Sequence, residues 1–436
     1  MTETVVAPTS KRLESLDFVR GMALFGILIM NIVGMGLGPA YDNPTIAGGD
    51  TGINLTTWFV VNVGFEGTQR ALFSMLFGAG VILLTTRMEA SGKADSTDIF
   101  FRRNLLLIAF GLINAWVLLW VGDILYYYGI TALFLYAFRK LPGRKLLIIG
   151  VGTLLLGAAW SAIDTQRLLN AHQAAWSAER VAPAARTAEQ KKAIETWKED
   201  SKTGPTKAEY AEVRKKNTAS YVSALVARAP RIKHEQSWSL YRYFFDIFGM
   251  MMIGMALFRL GVLTLEVKRR VYLAMLAGGY AIGVTGNILE ARWIMEHGFT
   301  KIAYTQASIT YDVSRLAMTT GHLGLLMLFL SSGTLSWFRR SMAAVGRMAL
   351  TNYLTHSIVA LVLFVFLGWW GALERHQLYY IVFTVWAVQI IISPIWLKHF
   401  HFGPVEWVWR ALTYGHKPPF RKTEINPPAG AIPAPA

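Results

Sequence analysis

The stretch of sequence that decides the fold is LDFVRGMALFGILIMNIVGMGLG, which runs from Leu16 to Gly38. It is long enough to cross a bilayer, for which a helix needs about 20 mostly apolar residues. It nevertheless carries Asp17 and Arg20 at its start and Asn31 well inside it. Asp17 and Arg20 share one helix face and can pair, and Asn31 lies about three turns further along, close to that face. Because polar groups are costly in a membrane unless they face protein or water, the stretch predicts a helix packed inside a bundle.

The composition of the chain extends this prediction to a multi-spanning membrane protein. Hydrophobic residues make up 53% of the 436 residues and charged residues only 16%, whereas a soluble domain has about 25% charged residues. The net charge of +16 is explained better by Lys and Arg in cytoplasmic loops than by nucleic acid, which we do not expect as a partner. The chain has no cysteine, which excludes disulfides, cysteine-ligated zinc and thiol catalysis.

Apolar segments predict an all-α, polytopic membrane helical bundle of about ten transmembrane helices. The second segment is long and is interrupted by Glu66, Gly67 and Arg70, where we expect a kink or an entry turn. The predicted spans cover residues 16–38, 57–87, 104–121, 124–139, 146–163, 239–260, 271–293, 312–332, 344–368 and 378–397.

The rest of the chain is assigned by composition. Residues 164–238 are rich in Ala, Lys, Glu, Arg and Gln, which predicts a small helical insertion outside the membrane. Trp407 and Trp409 are typical of an interfacial helix, and the final Pro/Ala-rich residues predict disorder. The resulting divisions are a tail at 1–16, a first membrane half at 17–163, the insertion at 164–238, a second membrane half at 239–397, an interfacial helix at 398–422 and a disordered tail at 423–436.

The basic residues predict the orientation of the bundle. The short loops after spans two, four, six and eight carry Lys and Arg, and those after spans one, three, seven and nine carry few. Basic short loops remain in the cytoplasm, while long segments are exempt from this rule. We therefore expect both termini to be cytoplasmic and residues 164–238 to lie outside.

Polar residues at membrane depth predict a functional site in the outer half of the bundle. Ionisable residues are rare there unless they line a cavity or a binding site, and Glu66 can pair with Arg70 along one helix face. The alternative is that each polar group only joins two helices. The polar residues of this half are Asn31, Glu66, Arg70, Asp123, Asp246, Glu290, Arg315 and His322. We expect all of them except Asp123 to converge on one pocket that opens toward the outer face, with Asn31 on its wall.

His322, in the segment TTGHLG, is the first candidate for a general base because histidine titrates near neutral pH. The alternative is a histidine satisfied by helix packing. As a base it should lie within reach of Glu66 or Asp246, so that a carboxylate sets its tautomer. No histidines are spaced beside carboxylates as metal ligands, so no metal is predicted, and the absence of a phosphate-binding loop argues against an ATP-driven pump.

Five segments of the chain together resemble the YeiB-like family of bacterial inner-membrane proteins, a domain of unknown function. They are spread from one end of the chain to the other and occur in the family's order. The segments are LDFVRGMALFGILIMN (16–31), FEGTQRALFSMLFGAG (65–80), GDILYYYGI (122–130), GRMALTNYLTHS (346–357) and FGPVEWVWRALTYG (402–415).

That family is in turn similar to the transmembrane acyltransferases that modify sugars and envelope polymers. In those proteins an arginine of the first span is followed eleven residues later by a histidine, whereas here Arg20 is followed at that offset by Asn31. The arginine carries over and the catalytic histidine does not. The resemblance implies a cytoplasmic thioester donor such as acyl-CoA, no bound cofactor, an acceptor hydroxyl at the outer face, and Arg20 against the donor's phosphates. The general base must then come from His322, Glu66 or Asp246.

Two functions remain open from the sequence. The first is a membrane acyltransferase, with Asp17, Arg20, Asn31, Arg70, Asp123, Glu290 and Arg315 binding the donor or the acceptor. The second is a secondary transporter or flippase, for which two halves of five spans would be suitable, although no internal repeat is evident. Membrane lipids and a small molecule or glycan are the expected partners in both cases.

Overall fold

The computed structural model describes residues 10–90 and 96–422. Over these residues the chain is helical and forms no β-strand, which confirms the all-α prediction. The disordered tail predicted at 423–436 and most of the tail predicted at 1–16 lie outside the described residues.

The first helix, α1 (Ser10–Leu37), occupies the centre of the bundle. Its side chains Phe18, Leu24 and Leu28 are almost fully buried, and it packs against helices from both halves of the chain. The remaining helices are α2 (Gly52–Phe65), α3 (Thr68–Ala90), α4 (Ser96–Trp116), α5 (Leu125–Leu135), α6 (Gly143–Glu179), α7 (Ala188–Asp200), α8 (Lys207–Ala219), α9 (Tyr221–Arg259), α10 (Arg269–Glu296), α11 (Lys301–Ser332), α12 (Ser336–Arg347), α13 (Ala349–Ala360), α14 (Arg375–His399) and α15 (Pro404–Tyr414).

The helices make the chain a polytopic membrane protein. Within the described residues, 8 helices are long and apolar enough to cross a membrane, and a bent helix pair along α9 would raise the number to 9. One of the ten spans predicted from the sequence, the fourth, does not correspond to a helix of spanning length. There the apolar helix reaches only from Leu125 to Phe138, which is shorter than the roughly 20 residues that a crossing requires.

The second predicted span is broken at the position that the sequence indicates. α2 ends at Phe65 and α3 begins at Thr68. Gly67, between them, has a φ of +66°, and a Cβ atom there would lie 2.2 Å from the hydroxyl oxygen of Tyr311. Both the left-handed backbone and the close approach require glycine. The break places Glu66 at the end of α2, beside the centre of the bundle.

The predicted insertion is helical and is continuous with the bundle. Helices α6 and α9 run through its predicted boundaries at 164 and 238 without interruption. Between them, α7 and α8 each begin with a capping box, at Thr187 and Thr206 respectively. In this motif the threonine and the residue three positions later satisfy the free N–H groups of the first turn.

The insertion contacts the segment that follows α1. The Asn43 side chain donates a hydrogen bond to the Thr203 hydroxyl at 2.9 Å, and Arg231 forms an ion pair with Asp42 at 3.1 Å. These contacts place both segments at the same end of the bundle. Between these segments the chain crosses the bundle in α2–α3, α4 and α6. The two segments can share one end only if the short segment around α5 also returns the chain across the bundle, as the predicted topology requires.

We predict that a reporter fused after Gly204 is active only in an extracytoplasmic format, such as alkaline phosphatase. A matched fusion after Lys268, in the basic loop before α10, should be active only in a cytoplasmic format such as a fluorescent protein, because basic short loops remain inside. Fluorescence from the fusion after Gly204 would contradict the orientation.

Glycines allow α3 and α9 to pack with their backbones in contact. A Cβ atom on Gly78 would lie 1.9 Å from the carbonyl oxygen of Met251, and one on Gly254 would lie 1.8 Å from the carbonyl oxygen of Met75. Close packing of small residues is a main source of helix association in membranes. A side chain at either position would therefore force the two helices apart.

We predict that Gly78→Leu lowers the melting temperature of the purified protein, because overpacking a tight contact costs about 1–3 kcal/mol. Gly152→Leu in α6 is the matched control, since a Cβ atom at Gly152 meets nothing within 4 Å. Thermal unfolding in one detergent compares the two variants. Equal melting temperatures would show that the α3–α9 contact is not tight.

Candidate functional site

A cavity of about 380 Å³ lies beside the break between α2 and α3, and we call it the Glu66 cavity. It is lined by Asn31 of α1, by Glu66 and Arg70 at the break, and by Asp123 just before α5. The insertion contributes to its wall through Arg228 of α9. The structure thus brings four residues predicted as site residues to one cavity, and adds a wall that comes from a distant part of the chain.

Glu66 is held in this cavity by two tyrosines. Its carboxylate accepts hydrogen bonds from the hydroxyl of Tyr41 at 3.2 Å and from the hydroxyl of Tyr311 at 3.4 Å. Both distances are longer than the usual 2.5–3.0 Å of such bonds. The two tyrosines therefore hold the carboxylate only weakly, and Glu66 lines the cavity.

Behind Glu66, a network of ion pairs joins three helices. Asp246 of α9 contacts Arg70 of α3 at 3.0 Å and Arg315 of α11 at 2.6 Å. Arg315 is 2% exposed and also pairs with Asp312 at 2.7 Å. Since two arginines neutralise Asp246, this carboxylate is a poor candidate for a general base. Its place in the network makes it a positioning group for Arg70.

Asp123 combines a structural contact with its place in the cavity wall. It accepts hydrogen bonds from the Asn114 side chain at 2.7 Å and from the backbone N–H of Tyr126 at 2.9 Å. The second bond caps the free N–H groups at the start of α5. Asp123 therefore fixes the start of the short helix α5. The first residues of α5 separate the Glu66 cavity from a second cavity.

His322 and Glu290 do not line the Glu66 cavity. The Nε2 atom of His322 lies 2.9 Å from the carbonyl oxygen of Gly64 and its Nδ1 atom lies 3.0 Å from the Tyr280 hydroxyl. A carbonyl only accepts, so Nε2 carries the proton and Nδ1 accepts from the tyrosine. A carbonyl and a tyrosine, rather than the expected carboxylate, hold the His322 tautomer.

Glu290 joins two neighbouring helices. Its carboxylate accepts hydrogen bonds from the hydroxyls of Thr310 and Ser314 of α11, each at 2.7 Å. For Glu290, as for His322, the structure fits the helix-packing alternative. The expectation of one pocket containing all seven polar residues was therefore too broad.

A second cavity, of about 610 Å³, lies toward the other end of α1, and we call it the arginine cavity. Asp17 and Arg20 line it and pair at 2.8 Å, as their spacing predicts. Four more arginines contribute to its wall from α3, α4, α12 and α15. They are Arg87, Arg103, Arg347 and Arg410.

The arginine cavity carries excess positive charge. Within the parts of the chain that the structure describes, no carboxylate forms an ion pair with Arg87, Arg347 or Arg410. Glu406 also lines the cavity, but it accepts hydrogen bonds from the backbone N–H groups of Leu350 and Thr351. Arginine side chains bind phosphate groups through paired N–H donors, so this cavity is suited to a phosphorylated ligand.

The interior of the arginine cavity is apolar. Leu76, Phe77, Leu84 and Leu107 line it, together with the ring of Tyr128. A cavity with a charged entrance and an apolar interior fits an elongated ligand with an anionic head. Among the described residues, no group of three or more His, Asp or Glu side chains could hold a metal ion.

The two cavities meet at Ile124, the one described residue that lines both. Its neighbour Asp123 faces the Glu66 cavity and its neighbour Leu125 faces the arginine cavity. The backbone N–H of Ile124 donates a hydrogen bond to the hydroxyl of Tyr353 at 3.3 Å. The start of α5 is thus a thin partition between two sites at opposite ends of α1.

Most of the arginine cavity was not predicted from the sequence, in which only Asp17 and Arg20 were singled out. A signal was present, because Arg347 and Arg410 lie in GRMALTNYLTHS and FGPVEWVWRALTYG. Only the fold shows that both segments line one cavity with Arg20.

The fold defines a helical, multi-spanning membrane protein with one polar cavity toward each end of its central helix. A family model described as Protein of unknown function (DUF418) matches residues 257–416. The chain is 32% identical over 417 residues to the uncharacterized protein YeiB of Escherichia coli (strain K12), covering 92% of this chain and 96% of that protein. It therefore belongs to the YeiB-like DUF418 family, which confirms the resemblance seen in its sequence.

A second relative shows that the similarity extends over the whole chain. The uncharacterized protein YxaH of Bacillus subtilis (strain 168) is 28% identical over 432 residues, covering 96% of this chain and 98% of that protein. No solved structure matches the chain.

We predict that Asp246→Asn destabilises the protein by about 3–5 kcal/mol, because it leaves Arg70 and Arg315 as buried charges without a full counter-charge. The matched control is Asp98→Asn, which removes an exposed pair with Arg102 and should cost about 1 kcal/mol or less. Denaturant unfolding in mixed micelles measures both. A similar loss in the free energy of unfolding for the two variants would show that the network adds no more stability than a surface ion pair.

Proposed function

We propose that this protein transfers an acyl group across the bacterial inner membrane to a hydroxyl of an envelope sugar or lipid. The observation that carries the proposal is the pair of cavities that meet at Ile124. A donor and an acceptor held on the two sides of so thin a partition could react without either crossing the membrane. The similarity of the family to transmembrane acyltransferases supports the same reaction.

The arginine cavity would hold the donor, a thioester such as acyl-CoA. Its charged entrance matches the phosphates of the donor, and its apolar interior matches the part that carries the acyl group. Arg20 is held by Asp17 at 2.8 Å, which orients the guanidinium before the ligand arrives. The predicted orientation, with basic loops in the cytoplasm, would open this cavity to the compartment that contains such thioesters.

The Glu66 cavity would hold the acceptor, a small molecule or a glycan end. Asn31 and Arg70 offer hydrogen-bond donors on its wall, and Asn31 can bind or orient a hydroxyl although it cannot act as a general base. Arg70 is fixed by Asp246 at 3.0 Å. A polar wall with fixed donors suits a ligand rich in hydroxyl groups.

Glu66 is the group best placed to act as the general base. His322 is engaged at both ring nitrogens and Asp246 by two arginines, whereas Glu66 faces the cavity. In the reaction Glu66 takes the proton of the acceptor hydroxyl while the oxygen attacks the thioester carbonyl. The carbon–oxygen bond forms, the carbon–sulfur bond breaks, and the thiolate leaves with the donor and is protonated in the cytoplasm.

We predict that Glu66→Gln lowers the rate of acyl transfer by about 10²–10⁴-fold, the usual contribution of a general base. Strains that carry the parent gene, no gene, Glu66→Gln or the control Glu290→Gln would be compared by mass spectrometry of envelope lipids and glycans. One acyl modification should be absent without the gene, restored by the parent and the control, and not restored by Glu66→Gln. An envelope that is identical in all four strains would overturn the proposal.

A transporter is the second candidate, and the break at Gly67 favours it. Discontinuous helices form the solute sites of many secondary transporters, and Glu66 lies at such a break. A transporter would move a solute into vesicles and would leave envelope acylation unchanged. Two results together would support the transporter: Glu66→Gln abolishes solute uptake, and the strain without the gene loses no acyl modification.

A further inference from the structure

One face of α3 forms a continuous side of the arginine cavity. Phe73, Phe77, Gly80, Leu84 and Arg87 all line it. These residues recur at helical spacing, so they lie along one face over about 21 Å. The face begins with two aromatic rings near Ile124 and ends with an arginine at the entrance. Gly80 is the one position along it that has no side chain.

Packing does not account for the glycine at position 80. A Cβ atom built on Gly80 would meet nothing within 4 Å, whereas one on Gly78 would clash with the backbone of α9. Glycine inside a helix is less favourable than almost any other residue. Gly78 is required by helix contact, but Gly80 leaves open space that belongs to the cavity.

The aromatic residues around this space show where it leads. The ring of Tyr128 packs against the rings of Phe73 and Phe77, and its hydroxyl is held by Ser74 at 2.7 Å. This group closes the deep end of the cavity beside Leu125. The open space at Gly80 therefore lies between a fixed aromatic group and Arg87, about 10 Å further toward the entrance.

We propose that Gly80 is a specificity-determining residue, because the absence of a side chain there leaves room for the extended tail of a ligand. The arginines of the same cavity bind the phosphorylated head of that ligand. The inference rests on the proposed function, and it names the part of the donor that the interior of the cavity accepts. The ligand class is a phosphate-bearing amphiphile, supplied either by a coenzyme thioester or by a membrane lipid phosphate.

Binding measurements on Gly80→Leu test this inference. The parent, Gly80→Leu and the control Gly152→Leu would be placed in nanodiscs of neutral lipid and titrated with adenosine 3′,5′-bisphosphate, which is a head without a tail, and with CoA. Gly80→Leu should bind the bisphosphate as the parent does. It should bind CoA at least tenfold more weakly, since each buried methylene that is lost weakens binding about fourfold. Gly152→Leu should resemble the parent.

A second arm distinguishes the two sources of the ligand. Melting temperatures would be compared in nanodiscs with and without phosphatidic acid. Stabilisation of the parent but not of Gly80→Leu would assign a lipid phosphate to the same course. Leucine favours a helix more than glycine does, so Gly80→Leu should melt no lower than the parent in neutral lipid.

The outcomes separate this inference from the proposed function. If the parent binds CoA or phosphatidic acid and Gly80→Leu binds it equally well, Gly80 has no such role and the proposed reaction is unaffected. If the parent binds none of the ligands, the donor site itself is wrong and both proposals fall.

Discussion

The bundle depends on the contact of Asp246 with two arginines. Asp246 comes from α9, Arg70 from α3 and Arg315 from α11, so a single carboxylate fixes three helices that are far apart in the chain. Buried charges of one sign would repel and would each carry a large desolvation cost, which only close pairing offsets. Because α3 begins at the break after Glu66, this network also sets where that carboxylate lies. Stability and site geometry are therefore governed by the same contacts.

The short α5 gives the protein two sites in place of one channel. α5 is shorter than an ordinary membrane-spanning helix. It begins at Leu125, beside the centre of α1, and not at one end of the bundle. Asp123 and Tyr353 hold the turn that precedes it. Asp123, which lines the Glu66 cavity, and Ile124, which separates the two cavities, are consecutive in the chain, so a change in the turn would affect both cavities at once.

The sequence predicts the contacts that are local in the chain and fails for those that are not. The Asp17–Arg20 pair and the break at Gly67 follow from spacing and from the properties of glycine, and the structure contains both. The role of His322 could not be predicted, because its partners Gly64 and Tyr280 come from other helices and depend on the rotation of α11. The same limit applies to Arg347 and Arg410, which are distant in the chain and line one cavity only because of how α12 and α15 pack in the bundle.

The thin partition at Ile124 has an electrical consequence. Where water enters a membrane protein from both faces, the transmembrane voltage no longer falls evenly over about 30 Å of hydrocarbon. It falls mainly across the dry layer that remains, which is the layer around Ile124 if the Glu66 cavity and the arginine cavity open to opposite faces. Moving one elementary charge through 100 mV changes its energy by about 2.3 kcal/mol. A proton or charged group passing between the Glu66 cavity and the arginine cavity would experience almost all of that difference over one turn of helix, so the respiratory state of the cell would act directly on events at this layer.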